Sequence, residues 1–91
     1  MKKIVVTVIG KDCVGIVAGV SATLAQENIN ILDISQTILD DIFQMVLVCD
    51  MEKANEPLQQ VQEKMAALGK ELGVDIRVQL ADIFYAMHRI Q

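Results

Sequence analysis

The stretch from Gly10 to Ser21, GKDCVGIVAGVS, concentrates the residues of this chain whose types and spacing could do chemistry. Its first six residues fit G-x-x-x-x-G, the beginning of a phosphate-binding loop. Such a loop needs a lysine and a serine or threonine directly after the second glycine, to reach the phosphates and the magnesium ion. Ile16 and Val17 occupy those positions. The sequence therefore excludes a nucleoside triphosphate site of this type.

The same loop lacks the residues of three other kinds of site. A copper chaperone binds its metal through C-x-x-C, whereas Cys13 is followed by Ile16 at the second cysteine position. An acyl-phosphate hydrolase would need an arginine to hold the phosphate, and the basic residue here is Lys11. RNA-binding strands stack bases on aromatic side chains, but the predicted central strands carry only Phe43. We expect none of these functions.

Candidate catalytic side chains are scarce. His88 is the single histidine, and its place in the predicted last helix is more typical of a surface or interface residue than of a base. Cys13 at a helix N-terminus could have a lowered pKa, yet no histidine lies near it in sequence to act as a base. The sequence therefore predicts no catalytic residue, no metal site and no cofactor, and treats Cys13 as a loop thiol.

The backbone of this loop has more to offer than its side chains. Gly15 is predicted to open a helix whose first N–H groups face outward, and such an end suits a carboxylate. Gly15 has two interpretations, the close approach of a ligand or the bend from strand to helix. Asp12 also has two, because it could bind a ligand ammonium or cap the helix. Gly19, one turn later, indicates tight packing of the helix on the sheet.

Hydrophobic periodicity predicts the elements that position this loop. The first and third strands are apolar on both faces, and the second and fourth are mixed. Leu32, Ile34 and Ile38 are expected on one face of the second strand, and Asp40-Asp41 in a hairpin. The predicted elements are strands at Lys3 to Ile9, Asn30 to Leu39, Ile42 to Met51 and Val74 to Leu80, and helices at Gly15 to Gln26, Leu58 to Leu72 and the tail after Leu80.

The start of the second helix has a local signal. Asn55 is predicted to cap it, Glu56 places an acid in its first turn, and Pro57 stands where no N–H is needed. Gly73 is placed to cap its end.

This order predicts an α+β fold, the ferredoxin-like βαββαβ sandwich, with an antiparallel four-stranded sheet, two helices on one face and a short C-terminal helix. The plan puts strands one and three in the centre, in agreement with their apolar faces. The other sheet face would then carry either Phe43, Met45 and Leu47 or Ile42, Val46 and Val48. An apolar face of this size predicts that something covers it. The cover is either the last helix or a second copy of the chain, and we favour the second copy.

Composition bounds the partners and the location. The 91 residues have a formal net charge of −4 and no basic cluster, which argues against nucleic acid and anionic membranes. No stretch approaches the roughly 18 apolar residues of a membrane span. Two cysteines without a signal sequence indicate free thiols in a reducing compartment. We expect one domain over residues 1–91, in the cytoplasm.

Two segments carry a family resemblance. Asp12 to Ile16 reads D-x-x-G before a helix, and Asn30 to Thr37 reads NILDISQT. Together with the flanking strands and the IFYAM tail they resemble the ACT domain over essentially the whole chain. The likeness is greatest to free-standing single-ACT proteins of bacteria and archaea, and more distant to the glycine cleavage system repressor.

The resemblance implies a non-catalytic regulatory module that binds an amino acid or a related metabolite as a homodimer or a higher assembly. The ligand would lie between Asp12, Val14 and Gly15 of one subunit and Asn30 and Ile31 of its neighbour, with Cys13 lining the pocket. The alternative is a protein-interaction module that binds no metabolite and docks through its apolar sheet face or open edge.

Overall fold

The computed structural model describes residues 1–11 and 14–87. Its elements are β1 (Lys3–Gly10), α1 (Ile16–Gln26), β2 (Asn30–Leu39), β3 (Ile42–Asp50), α2 (Leu58–Leu72), β4 (Asp75–Leu80) and α3 (Ala81–Met87). The strands form one antiparallel sheet in the order β2-β3-β1-β4. The predicted ferredoxin-like fold is confirmed, with β1 and β3 in the centre and a short helix after β4.

The core lies between the sheet and helices α1 and α2, on the face that we call the helix side. β1 contributes Ile4, Val6 and Val8 to it because alternate residues of a strand share a face. β3 places Phe43, Met45, Leu47 and Cys49 there, which decides between the two predicted sets. The helices contribute their apolar stripes, which are Ile16, Val20 and Leu24 of α1 and Val61 and Met65 of α2.

Helix α3 lies on the opposite face, which we call the α3 side. It packs against β1 and β4, and Val5 of β1 is only 1% exposed although it points away from the core. Leu39 and Ile42 at the hairpin end of the same face remain 71% and 47% exposed. The last helix therefore covers part of the face for which the sequence favoured a second copy, and the part near β2 stays open.

The predicted cap of α2 is wrong, and so is the predicted acid in its first turn, because Glu56 precedes the N-cap residue. The helix begins at Leu58 with Pro57 in the N-cap position and no side-chain capping bond. The side-chain amide of Asn55 instead donates to the carbonyl oxygen of Gln26 at 2.9 Å. The last carbonyls of α1 have no donor within the helix, and Asn55 provides one of them with a hydrogen bond. Gly73 is confirmed as the C-cap, with φ at 75°.

The partner predicted for Gly19 is also wrong. A Cβ built on Gly19 would lie 3.3 Å from Cδ1 of Leu72 and 3.9 Å from Cδ1 of Leu68, both on α2. Since α1 and α2 share the helix side, the small residue allows the two helices to approach each other, and the contact is not with the sheet.

The β2–β3 hairpin is confirmed. Leu39 pairs with Ile42, and Asp40 adopts a φ of 55° in the two-residue turn, a conformation that aspartate tolerates better than most residues. The register shifts between Ile31 and Asp33, so Leu32 lies in a bulge and not in the predicted alternation.

Candidate functional site

The loop from β1 to α1 places Gly15 at the N-terminus of the helix. Gly15 has a φ of 77°, and its carbonyl oxygen accepts the first helical bond from the N–H of Gly19 at 2.9 Å. As the N-cap residue, Gly15 has no side chain with which to cap the helix, and Val14 is 83% exposed. The loop therefore presents a helix N-terminus at the surface. Asp12 and Cys13 lie outside the described residues, so their roles stay predictions.

Conformation explains why glycine stands at position 15. A Cβ built there has no neighbour within 4 Å among the residues that the structure describes, so those residues do not demand glycine through crowding. The left-handed φ disfavours any residue with a Cβ. This supports the interpretation of Gly15 as the bend from strand to helix.

The second predicted segment begins β2. The side chain of Asn30 is exposed, whereas Ile31 is half-buried and packs against the core. Asn30 lines a surface cavity of about 460 Å³, together with Asn28, Asp50 and Lys53. The side chain of Asn28 donates to the carbonyl oxygen of Lys53 at 2.8 Å. The start of β2 is therefore a polar recess held by side-chain hydrogen bonds.

A buried carboxylate holds this end of the domain together. Glu27, just after α1, is 7% exposed, and its Oε2 accepts a bond from Nζ of Lys64 on α2 at 2.7 Å. Lys64 also pairs with Glu56. A negative charge at a helix C-terminus opposes the helix dipole, and Lys64 offsets it. We call Glu27, Glu56 and Lys64 the charge clamp.

The clamp shifts the ionisation of its members. The pKa of Lys64 is raised from its ordinary value of 10.5, first by its hydrogen bond to Glu27 and then by that to Glu56. The pKa of Glu56 is lowered from 4.5, chiefly by the hydrogen bond from Lys64. Both groups are therefore charged at neutral pH. No local pattern marked these residues, because Glu27 and Lys64 are 37 positions apart.

Within one chain the two halves of the predicted site lie far apart. Gly10, at the end of β1 that leads to the loop, pairs with Phe43, whereas Asn30 pairs with Asp50. Phe43 and Asp50 are seven positions apart on β3, about 23 Å at about 3.3 Å per residue. Gly15 and Asn30 of the same chain are therefore at opposite ends of the sheet, beyond the reach of one small ligand.

Other candidate chemistry in the described residues is limited. Cys49 is a free thiol buried in β3, and burial raises its pKa to about 11, which disfavours the reactive thiolate. Residues 1–11 and 14–87 contain no group of three or more acidic, cysteine or histidine side chains placed to hold a metal ion. No described helix has the length and apolar character to cross a membrane. His88 lies outside the described residues.

The strand order and the added helix define a class, the ferredoxin-like α+β domains. Within that class the chain belongs to the ACT domain family, whose model matches residues 2–79. ACT domains are ligand-binding regulatory modules. The resemblance seen in the D-x-x-G and NILDISQT segments is thereby confirmed.

Similar proteins of the same length occur in archaea and bacteria. A UPF0237 protein of Methanopyrus kandleri is 50% identical over 90 residues, which are 99% of this chain and 100% of the relative. An ACT domain protein from Streptococcus pneumoniae superposes with a TM-score of 0.82 at 39% identity, covering 99% of this chain and 98% of that one.

A putative glycine cleavage system transcriptional repressor superposes with a TM-score of 0.76 at 24% identity. The match covers 85% of this chain and 45% of that chain. At this identity the likeness extends to the fold alone.

Proposed function

We propose that this chain is a non-catalytic regulatory module that binds an amino acid or a related metabolite at the interface of a homodimer. The observation that carries the proposal is the separation of Gly15 from Asn30 by the length of the sheet. If both segments bind one ligand, they must come from two copies of the chain.

The outer edge of β2 supports such an assembly. β2 has ten residues, and Ile38 and Leu39 are 65% and 71% exposed. The strand pairs with β3 on one side and with no described strand on the other. A long apolar edge is a template for pairing with another chain. An antiparallel pair of two β2 strands around a two-fold axis would use this edge in both copies.

This pairing also brings the two halves of the site closer together. Antiparallel β2 strands place Asn30 of the partner subunit beside Leu39, at the end of the sheet where the loop to α1 begins. The lateral distance from there to β1 is three strand spacings, roughly 14 Å, and the loop before Gly15 can extend across part of it. In the dimer, the loop before Gly15 and Asn30 of the partner subunit are therefore closer together than the same two segments are within one chain.

The chemistry of the two segments suits an amino acid. The N-terminus of α1 favours a carboxylate, Asn30 provides a donor and an acceptor, and Asp12 could take an ammonium group. A ligand held between two copies binds the dimer and not the monomer, so it would stabilise the assembly by linkage. The reducing cytoplasm, where thiols remain free, fits the free thiol of Cys49.

The exposed edge of β2 also fits the alternative, a module that docks on another protein and binds no metabolite. Substitution of Ile38 by lysine tests whether the chain pairs with itself through this edge. We expect Ile38→Lys to raise the dimer dissociation constant at least about tenfold, because a charge replaces an apolar contact at the edge. Gln59→Lys, which adds the same charge on the exposed face of α2, should leave it unchanged. Sedimentation equilibrium measures both.

The ligand is tested by melting temperature across a panel of amino acids at millimolar concentration. We expect at least one to raise the melting temperature of the wild type and of Gln59→Lys, and to lose its effect on Ile38→Lys. A dimer that no amino acid stabilises would favour the interaction module. A wild-type chain that sediments as a monomer at all concentrations and with all ligands would refute the proposed site.

A further inference from the structure

A groove on the α3 side of the sheet has no part in the proposed interface. It has a volume of about 420 Å³ and lies between α3 and strands β1, β3 and β4. None of the predicted site residues lines it, and no residue of β2 does. Its size is within the range of small-molecule pockets, about 300–1,000 Å³. It exists in a single chain and does not depend on the dimer.

The strand register fixes the floor of the groove. Thr7 of β1 pairs with Arg77 of β4 on one side and with Val46 of β3 on the other. Because paired residues share a face, these three side chains form one row across the sheet. Neighbours in the row are about 4.8 Å apart. A cation, a hydroxyl and an apolar side chain therefore lie within roughly 10 Å of one another.

Arg77 provides the cation of this row. Its Nε donates to Oδ2 of Asp75 at 3.2 Å, and the two side chains are 73% and 57% exposed. The four N–H groups of its two terminal nitrogens have no hydrogen bond to a residue that the structure describes. A guanidinium with free terminal nitrogens is a bidentate donor for a carboxylate.

Helix α3 adds an apolar wall to the groove. Phe84 is half-buried and Met87 is 64% exposed, and both line the cavity. Nε2 of Gln79 approaches Sδ of Met87 at 3.9 Å, which connects the helix to β4 at the rim. Methionine is flexible and adapts to the shape of an apolar ligand. The wall and Val46 together would accept a short aliphatic group.

We propose that this groove binds a small carboxylate with a short apolar tail, the carboxylate on Arg77 and the tail between Val46 and Phe84. The single cation and the adjacent carboxylate of Asp75 favour a monoanion, because a phosphate dianion would be repelled by Asp75. The ligand could be a simple carboxylic acid, or an amino acid whose ammonium group binds the second oxygen of Asp75.

The test is a titration of the ¹⁵N-labelled protein with 4-methylpentanoate, followed by amide chemical shifts. We expect the shifts to centre on Thr7, Val46 and Phe84. Arg77→Gln should weaken binding about tenfold or more, the usual effect of losing a charge-assisted pair. The neutral probe 4-methylpentanamide should bind the wild type as weakly as 4-methylpentanoate binds Arg77→Gln. Lys70→Gln, the same charge change on α2, should have no effect.

Two further arms make the outcome decisive. If L-leucine shifts the same amides, the proposal holds with an amino acid as the ligand. If 4-methylpentanoate shifts them and L-leucine does not, the proposal holds with a simple carboxylic acid as the ligand. Val46→Phe, which fills the floor, should abolish binding while the spectrum shows a folded protein. Binding that Arg77→Gln leaves unchanged would overturn the proposal, as would no binding of either carboxylate. Shifts confined to Val14, Gly15 and Asn30 would overturn it too, while supporting the interface site.

Discussion

The two edges of the sheet contain similar residues and lie in opposite environments. In β4, Ile76 and Val78 are 7% and 5% exposed because α2 packs on them. In β2, Ile34 and Ile38 lie on the same helix side but are 38% and 65% exposed. β4 has six residues and β2 has ten. Helices cover the side chains of the short edge strand, and those of the long edge strand stay exposed.

This difference shows what strand periodicity can and cannot predict. Alternation in NILDISQTIL and DIRVQL correctly identifies two strands with one apolar face each. It does not reveal whether another element covers that face, because the cover depends on where α1 and α2 lie over the sheet. An isoleucine in β4 is therefore expected to stabilise the monomer, and one in β2 to stabilise an assembly.

The largest expected effect comes from the same substitution on each edge. Ile76→Ala should lower the free energy of unfolding by about 2–4 kcal/mol, because it leaves a cavity in the core. Ile38→Ala should lower it by less than about 1 kcal/mol when the protein is dilute enough to be monomeric. Urea unfolding measured by circular dichroism gives both values. Equal losses would mean that β2 is as well covered as β4.

The second comparison concerns two glycines at helix ends, Gly15 before α1 and Gly73 after α2. Gly15 and Gly73 have φ values of 77° and 75°, and a Cβ built on either has no neighbour within 4 Å among the described residues. Substitution by alanine should therefore destabilise each variant by about 1 kcal/mol. If the loop at Gly15 binds the ligand, only Gly15→Ala should also change the ligand-induced rise in melting temperature. An identical ligand response in both variants would place the ligand elsewhere.

The smallest effect concerns the charge clamp, which anchors the segment before β2. Lys64→Met should lower the melting temperature only slightly, because Lys64 is 47% exposed and water screens its ion pair with Glu27. Lys70→Met, a change in a lysine for which the structure describes no ion pair, should have less effect.

The pH dependence of that difference follows from the shifted pKa values. Because the pKa of Glu56 is lowered from 4.5 in the folded protein, its contribution to stability is present above pH 4.5. That contribution is lost as the pH falls through the lower pKa of the folded state. Because the pKa of Lys64 is raised from 10.5 in the folded protein, its contribution to stability is present below pH 10.5. That contribution is lost as the pH rises through the higher pKa of the folded state. The difference between wild type and Lys64→Met should thus be constant from about pH 5 to about pH 10 and shrink in more acidic solution. A constant difference down to about pH 2 would exclude an electrostatic origin.

Much of the fold could be predicted because local patterns determine it. Leu58, Val61, Met65, Leu68 and Leu72 step around one face of α2, and all of them pack in or against the core. The apolar faces of the first and third strands correctly placed β1 and β3 in the centre. Gly15 and Gly73 occupy the helix ends where the sequence placed them.

The errors concern contacts between distant parts of the chain. Asn55 was expected to cap the next helix, but folding brings it to the end of α1. The bulge at Leu32 depends on pairing with β3, which the alternation of β2 alone does not contain. For the site, the sequence indicated the two segments, and the register of β3 was needed to show that they lie at opposite ends.

The pairing of β1 has a consequence for how the chain folds during synthesis. Lys3 pairs with Asp50 and Ile4 pairs with Leu80, so β1 pairs with strands that the ribosome makes much later. Non-local contacts of this kind slow folding, because a long loop must close before they form. Until β4 emerges, one edge of β1 lacks its partner. Before β4 and α3 have been made, the chain can form neither the complete sheet nor the groove beneath α3. A second copy or a ligand would therefore meet this domain only after both elements have been made.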